Sequence, residues 1–224
     1  MNLSNKRLGK FTASSMHLLL VGGKGATRDK YIRAKAEEIV RGHAKSNFSN
    51  RHTEHGHMNE GEAGAKFQEL TGLIVDYLNQ EFFEINENCG STPDFAVVDF
   101  SGKYLASVDV KCPTETFFEQ KLMFIQESKP EFQNVPKSMF VQAQMQMMSL
   151  KVDTHYLVRY MTSSEVDDDG NKIEYDIPLE SRMFWTKITA DKPFQDMLLA
   201  EIEKASKERD LYVEIFRKPI LQTP

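Results

Sequence analysis

The sequence predicts a mixed α/β fold, in α+β order, as one domain over residues 1–224. Three observations carry this. Helical patterns occupy both ends of the chain, strand-like runs cluster between residues 73 and 108, and a further helix separates them from two later strands. Within the domain the sequence divides into a basic helical segment at 1–52, a core at about 53–190 and a terminal helix at about 191–216.

Thr12-Ala13-Ser14 opens a first helix, and Gly22-Gly23-Lys24-Gly25 closes it as a loop. That loop is not a P-loop, because its glycine–lysine spacing is wrong and no Ser or Thr follows the lysine. Residues 27–42 read as a charged helix and 43–56 as a polar, His-rich loop. His52, His55 and His57 in such a loop have neither cysteine partners nor a helical frame, so they do not read as a zinc site. A helix is expected from Glu60 to Leu70, ending at Gly72. Leu73–Leu78 and Phe82–Ile85 read as strands, as do Phe95–Val98 and Tyr104–Val108. Residues 115–134 are mixed and partly helical. Pro136 opens a helix to about Leu150, in which Gln142, Gln144 and Gln146 alternate with methionines. A strand at Thr154–Met161, an acidic loop at Glu165–Gly170, a strand at Arg182–Ile188 and a helix from Lys192 to about Arg209 complete the pattern.

Composition narrows the function classes. No run of about eighteen apolar residues is present, so no membrane span is expected. Two cysteines, Cys89 and Cys112, make neither a disulfide framework nor a four-cysteine iron–sulfur site, and they suit a reducing cytoplasm. The net charge of −5 argues against a general nucleic-acid binder. Its distribution does not: residues 1–52 hold eleven Lys and Arg against three acids. Such asymmetry hints at one basic face for a polyanion.

The candidate chemistry lies in Thr92-Pro93-Asp94 and Asp109-Val110-Lys111-Cys112-Pro113. Ser101-Gly102 is the turn signal between their strands. If those two residues form the whole turn, Asp94 falls opposite Asp109, and Lys111 shares the Asp109 face. A three-residue loop with Gly102 in the left-handed region would instead pair Asp99 with Lys103, and Asp94 would face Val108. In the first register the paired carboxylates repel and invite a hard, oxygen-bound cation such as Mg²⁺, with the lysine beside its anion.

Several segments, in order, resemble the phage lambda exonuclease family, the YqaJ-type viral recombinases among the PD-(D/E)xK nucleases. They are Arg7-Leu8-Gly9-Lys10-Phe11-Thr12-Ala13-Ser14, Gly56-His57-Met58-Asn59-Glu60-Gly61-Glu62-Ala63, the two halves of the Asp94/Asp109 motif, Gln142-Ala143-Gln144, and the strand Tyr156–Met161. Three positions depart from the family pattern: Asp109 stands where Glu is usual, Phe95 where Gly is common, and His55 where an aromatic is found. The resemblance implies a restriction-endonuclease-like core, a central mixed β-sheet flanked by helices. It implies a 5′→3′ exonuclease that digests one strand of linear duplex DNA and leaves 3′ single strands for recombination.

The same resemblance assigns roles. Asp94, Asp109, the Val110 carbonyl and Glu60 would hold Mg²⁺, two ions per site, with Mn²⁺ able to substitute. Lys111 would activate the attacking water and offset phosphate charge, and Gln142 would help position that water. Arg7, Ser14 and Thr92 would take a terminal 5′-phosphate, where arginine forks onto the oxygens. Double-stranded DNA ends, a single-strand annealing protein and a homo-oligomeric ring, a trimer, are the implied partners. A phage- or prophage-encoded protein in the bacterial cytoplasm is the implied setting. Two other readings fit the residues. One is another PD-(D/E)xK nuclease, RecB-like or of the CRISPR-associated kind, although the latter's cysteine cluster is missing. The other is a non-catalytic DNA-end-binding module of the same fold.

Overall fold

The computed structural model describes residues 6–21, 25–43, 51–112, 123, 135–166 and 171–218. Its main sheet has five strands: β2 (Ile74–Tyr77), β5 (Phe95–Val98), β6 (Tyr104–Lys111), β7 (Thr154–Tyr160) and β10 (Met183–Thr189). They lie in the order β10-β7-β6-β5-β2. Only β6 and β7 run parallel, so the sheet is mixed. A smaller sheet, β1-β4-β3, joins β1 (Phe11–Thr12), β4 (Cys89–Ser91) and β3 (Phe83–Asn86). β8 (Ser164–Val166) and β9 (Lys172–Glu174) form a separate hairpin.

The helices make two further layers on the main sheet. Helix α1 spans Ala26–Arg41, α2 Arg51–Thr71, α3 Lys137–Leu150, α4 Leu179–Arg182 and α5 Lys192–Arg217. Alternate residues of the central strands face opposite ways. Val97, Val108, Val110 and Val158 therefore pack under Ala63 and Phe67 of α2. Ala96 and Leu157 pack under Ala143 and Met147 of α3. Phe67 is fully buried, which contributes roughly 1.5–3 kcal/mol. Gly64 lets α2 approach closely, since a Cβ there would lie 2.6 Å from the Phe95 ring. The outer face of α3 meets the N- and C-terminal helices in a second core around Met16, Ile32, Met145 and Leu198. Each terminal element ends as its residues dictate: the Asp191 carboxylate caps α5 at Phe194 N–H, and Lys151 closes α3 in the left-handed region.

Several expectations change. Residues 13–20 are a 3₁₀ helix preceded by β1, because Phe11 and Thr12 pair with β4. Helix α2 begins at Arg51, so the backbone around His52, His55 and His57 is helical rather than a loop. Glu165 sits in β8, not in an acidic loop, and Arg182 ends a short helix before β10. Helix α5 continues to Arg217. Among residues 115–134 only Met123 is described; the rest of that expectation, with residues 22–24 of the glycine loop, lies outside the described residues.

Ion pairs take up part of the N-terminal positive charge. Helix α1 packs on helix α5, where Arg28 forks onto Glu201 at 2.8 Å and Glu208 at 2.7 Å. Lys10, Arg33, Lys35 and Arg41 also pair with acids. Arg28 and Lys10 meet acids distant in sequence, whereas Arg33, Lys35 and Arg41 pair within α1.

Candidate active site

The β5–β6 hairpin combines features of both registers. Its turn is a three-residue loop: Asp99 N–H donates to the Lys103 carbonyl at 3.0 Å, and Gly102 has φ +81°. That geometry alone would slip the carboxylates onto opposite faces. It does not, because Leu105 is an extra residue in the ladder. Val98 pairs with Tyr104, but Val97 pairs with Ala106 and Phe95 with Val108. The bulge restores the register by one, and the next pair in line is Asp94 and Asp109.

Both carboxylates therefore face α3. Asp109 is 3% exposed, and its oxygens are crowded with donors. Lys111 Nζ lies 2.5 Å from Oδ2, and the side-chain amides of Gln142 and Gln146 donate to Oδ1 at 2.8 and 3.0 Å. Asp94 is half-buried, and its Oδ2 accepts the Val110 N–H at 2.7 Å. Burial pushes the Asp94 carboxyl well above its ordinary range, and the charge of Asp109 adds to the rise. Burial also opposes charge on Asp109, but Lys111 wins and holds it below the usual range. Lys111 is disfavoured by burial yet held above its ordinary value, chiefly by Asp109 and Asp94. The pair thus keeps one firm negative charge and one reluctant one.

Glu60 comes from the other side of the sheet. It is buried on α2, and its charge acts on Asp94, Lys111, Tyr77 and Cys112. Among the described residues, no three His, Cys, Asp or Glu side chains close on one ion-sized point. Helices α2 and α3 cover opposite faces of the sheet, so Glu60 on α2 and the carboxylates that face α3 start from opposite sides. By chemistry the donor set still fits a hard cation. It offers carboxylate oxygens, the Val110 carbonyl and a carboxyl whose ionisation needs added positive charge.

The small sheet and the residues that flank it carry Arg7, Ser14 and Thr92. β1 and β4 are parallel neighbours with Thr12 beside Gly90, so Ser14 and Thr92 leave at the same end. Phe82, just before antiparallel β3, is at that end too, and the Arg7 guanidinium lies 5.9 Å from its ring centroid. Arg7 and Ser14 are exposed. The buried Thr92 hydroxyl has no hydrogen-bond partner among the described residues. Two residues further on stands Asp94.

Two neighbours of Asp109 were not singled out by the motifs. Gln146 is one turn beyond Gln142, so helical spacing places both on one face. Gln144, inside the Gln-x-Gln motif, points away: it bonds the Thr189 carbonyl, Asp191 N–H and Gln195. His155 pairs with Ser107 across the parallel β6–β7 ladder and shares the Asp109 face. Its Nδ1 lies 2.9 Å from the Ser107 hydroxyl, and burial lowers its pKa to about 4. No local pattern could have found it, because that ladder joins residues 48 positions apart.

Comparison with known proteins shows the family and the fold. The model of the YqaJ-like viral recombinase domain matches residues 4–155, more than half of the chain. Among solved structures, an alkaline exonuclease from Laribacter hongkongensis superposes with a TM-score of 0.73 at 22% identity, over 96% of this chain and 95% of that one. The same enzyme is also known in complex with dAMP. A phage-related exonuclease from Haemophilus somnus 129PT gives a TM-score of 0.73 at 19% identity, covering 92% of this chain and 96% of its own. No curated protein sequence matches. The architecture is that of the PD-(D/E)xK nucleases, and the chain belongs to the YqaJ-like viral recombinase domain family.

Proposed function

We propose that the protein is a metal-dependent 5′→3′ exonuclease that digests one strand of linear duplex DNA. The observation that carries the reading is the convergence of Asp94, Asp109 and Lys111 on one face, with Gln142 over them and Glu60 at their edge. A purely structural pair of buried acids would be a poor use of stability, because burying like charges together is unfavourable. That argument also sets aside a non-catalytic end-binding module.

Asp94, Asp109, the Val110 carbonyl and Glu60 would hold Mg²⁺, or Mn²⁺ in its place, with two ions at the site. A divalent ion bound there supplies Lewis-acid polarisation of the phosphate and a more acidic water. The protein's own groups do the rest. Lys111 Nζ, on the Asp109 face, balances charge developing on the phosphate and orients the attacking water. The Gln142 amide, 2.8 Å from Asp109 Oδ1, can turn its oxygen to that water. Gln146 keeps Asp109 oriented when Gln142 does so.

The polarity of digestion rests on Arg7, Ser14 and Thr92. A guanidinium and two hydroxyls, one of them the buried and unsatisfied Thr92 hydroxyl, suit the dianion of a terminal 5′-phosphate. Double-stranded DNA ends are then the substrate. A trimeric ring around DNA and a single-strand annealing partner are consistent extensions of the same reading.

The test is digestion of linear duplex with 5′-phosphate or 5′-hydroxyl ends, in Mg²⁺ or in EDTA. Loss of cleavage in EDTA and preference for phosphorylated ends are expected. Arg7→Ala should weaken end binding by roughly tenfold, since a hydrogen bond to a charged group contributes about 1.5–3 kcal/mol. Full activity in EDTA would overturn the metal. Equal digestion of both ends by the parent protein would overturn the 5′-phosphate pocket.

A further inference from the structure

Between helix α2 and the edge strand β2 runs a groove that the motifs do not account for. It encloses about 300 Å³ and is walled by Gly61, Gly64 and Gln68 of α2 and by Val75, Tyr77 and Phe95 of the sheet. That volume is at the lower end for a small-ligand site. Its α2 wall is nearly flat. A Cβ at Gly64 has no room against Phe95, whereas a Cβ added at Gly61 would meet nothing within 4 Å. Opposite stands Tyr77, whose ring rests against Phe95 at a centroid separation of 5.2 Å and is still 42% exposed.

The groove lies close to the candidate active site, on the α2 face of the sheet, whereas Asp94 and Asp109 face α3. Gly61 follows Glu60, and Tyr77 pairs with Phe95, the residue after Asp94. Leu78 N–H, next to Tyr77, donates to the Asp94 carbonyl at 3.3 Å. The charges of Glu60 and Asp94 both reach the Tyr77 phenol. An exposed aromatic ring facing a glycine-bearing helix wall, near acids that would receive a phosphodiester, has the shape and polarity for a flat ring.

We propose that this groove is a nucleobase subsite, in which Tyr77 stacks on a base flanking the scissile phosphate. The inference rests on the nuclease reading of the neighbouring carboxylates. The ring supplies sequence-tolerant stacking, and the Gln68 side chain, whose oxygen already accepts Val75 N–H, closes the far end. Held there, the base fixes the phosphate over Asp94 and Asp109. Tyr77 is thus a substrate-binding residue that acts on positioning and not on the bond that breaks.

Two measurements test it on the full-length protein. In the first, duplexes carry 5-iodouracil at the first or second nucleotide from a phosphorylated 5′ end. They are irradiated with the protein in EDTA, and adducts are mapped by mass spectrometry. An adduct on Tyr77 is expected with at least one duplex; adducts confined to other residues would overturn the subsite. Because nothing is cleaved in EDTA, this result stands even if the parent protein proves not to be a nuclease. In the second, Tyr77→Ala should raise KM for duplex ends about tenfold with kcat changed far less, and Tyr77→Phe should restore it. Gly61→Met, which fills the groove from a helix position with open space, should raise KM in the same way. A parent that digests DNA while both Tyr77→Ala and Gly61→Met keep its KM would refute the subsite and leave the nuclease reading intact.

Discussion

Asp99 and Asp94, at the two ends of the β5–β6 hairpin, are shifted in opposite directions. At the turn, Asp99 Oδ1 accepts from Ser101 N–H, the Ser101 hydroxyl and Lys103 N–H. Its carboxyl falls below the ordinary range, the hydrogen bonds from Ser101 and Lys103 being the cause. At the other end, Asp94 and Asp109 also collect donors, yet burial pushes Asp94 the other way. Hydrogen bonds satisfy a solvated carboxylate completely. They do not satisfy a buried pair, which keeps an unmet demand for positive charge. An aspartate in a hairpin becomes chemically useful where desolvation outweighs its local donors.

The sharpest way to break this comparison is to remove one charge from the buried end. Asp109→Asn keeps the shape and leaves Lys111 beside a neutral amide. We expect cleavage to fall by about a thousandfold, the scale set by several kcal/mol of lost charge stabilisation. Single-turnover digestion of a labelled duplex measures it. The Asp94 carboxyl, freed of a repelling neighbour, should at the same time move back toward its ordinary range. Cleavage within about tenfold of the parent would show that Asp109 does not serve the chemistry.

The buried end should also respond to pH where the turn does not. His155 shares the Asp109 face and is held neutral by burial, with a pKa of about 4 against an ordinary value of 6.5. Its sign follows from proton counting. Below pH 6.5 the unfolded chain takes a proton that the native site refuses until about pH 4. The contribution is therefore complete above pH 6.5 and declines as pH falls. Between pH 7 and pH 5 the parent should lose about 2 kcal/mol more stability than His155→Gln, measured by urea unfolding without divalent ions. Parallel losses in the two proteins would show that His155 accepts its proton freely in the fold.

How legible this was depends on the range of the interactions. Strands β5 and β6, helix α3 and the terminal helix α5 follow local periodicity and caps, so the sequence contains them. Elements built by distant partners were not legible: β1 and β4 are two and three residues long and exist because they pair with each other. The register at Asp94 is the instructive intermediate. Gly102 announces a left-handed turn residue, but the exposed Leu105 bulge that compensates for it has no sequence mark. Asp94, Asp109 and Lys111 could be named from their spacing, and Gln146 from its place one helical turn after Gln142. The approach of Glu60 from the opposite face, and the place of His155, are consequences of how the layers stack.

The smallest expected effect sharpens the comparison from the turn side. Asp99→Ala removes an acceptor shared by three donors, all at the surface, where water can replace it. Thermal unfolding should show only a small fall in Tm, no more than a few degrees. Asp99→Asn, which keeps an acceptor oxygen, should recover most of it. Digestion rates of both variants should match the parent, because the Leu105 bulge lies between the turn and Asp109 and sets the register independently of the loop. A bulge can absorb a change of loop conformation only if the pairs beyond it stay fixed. If Asp99→Ala slowed cleavage as strongly as it lowered Tm, the turn would be setting the register through to Phe95 and Val108. The two ends of the hairpin would then be one mechanical unit, and the carboxylate pair would depend on the loop as much as on its own burial.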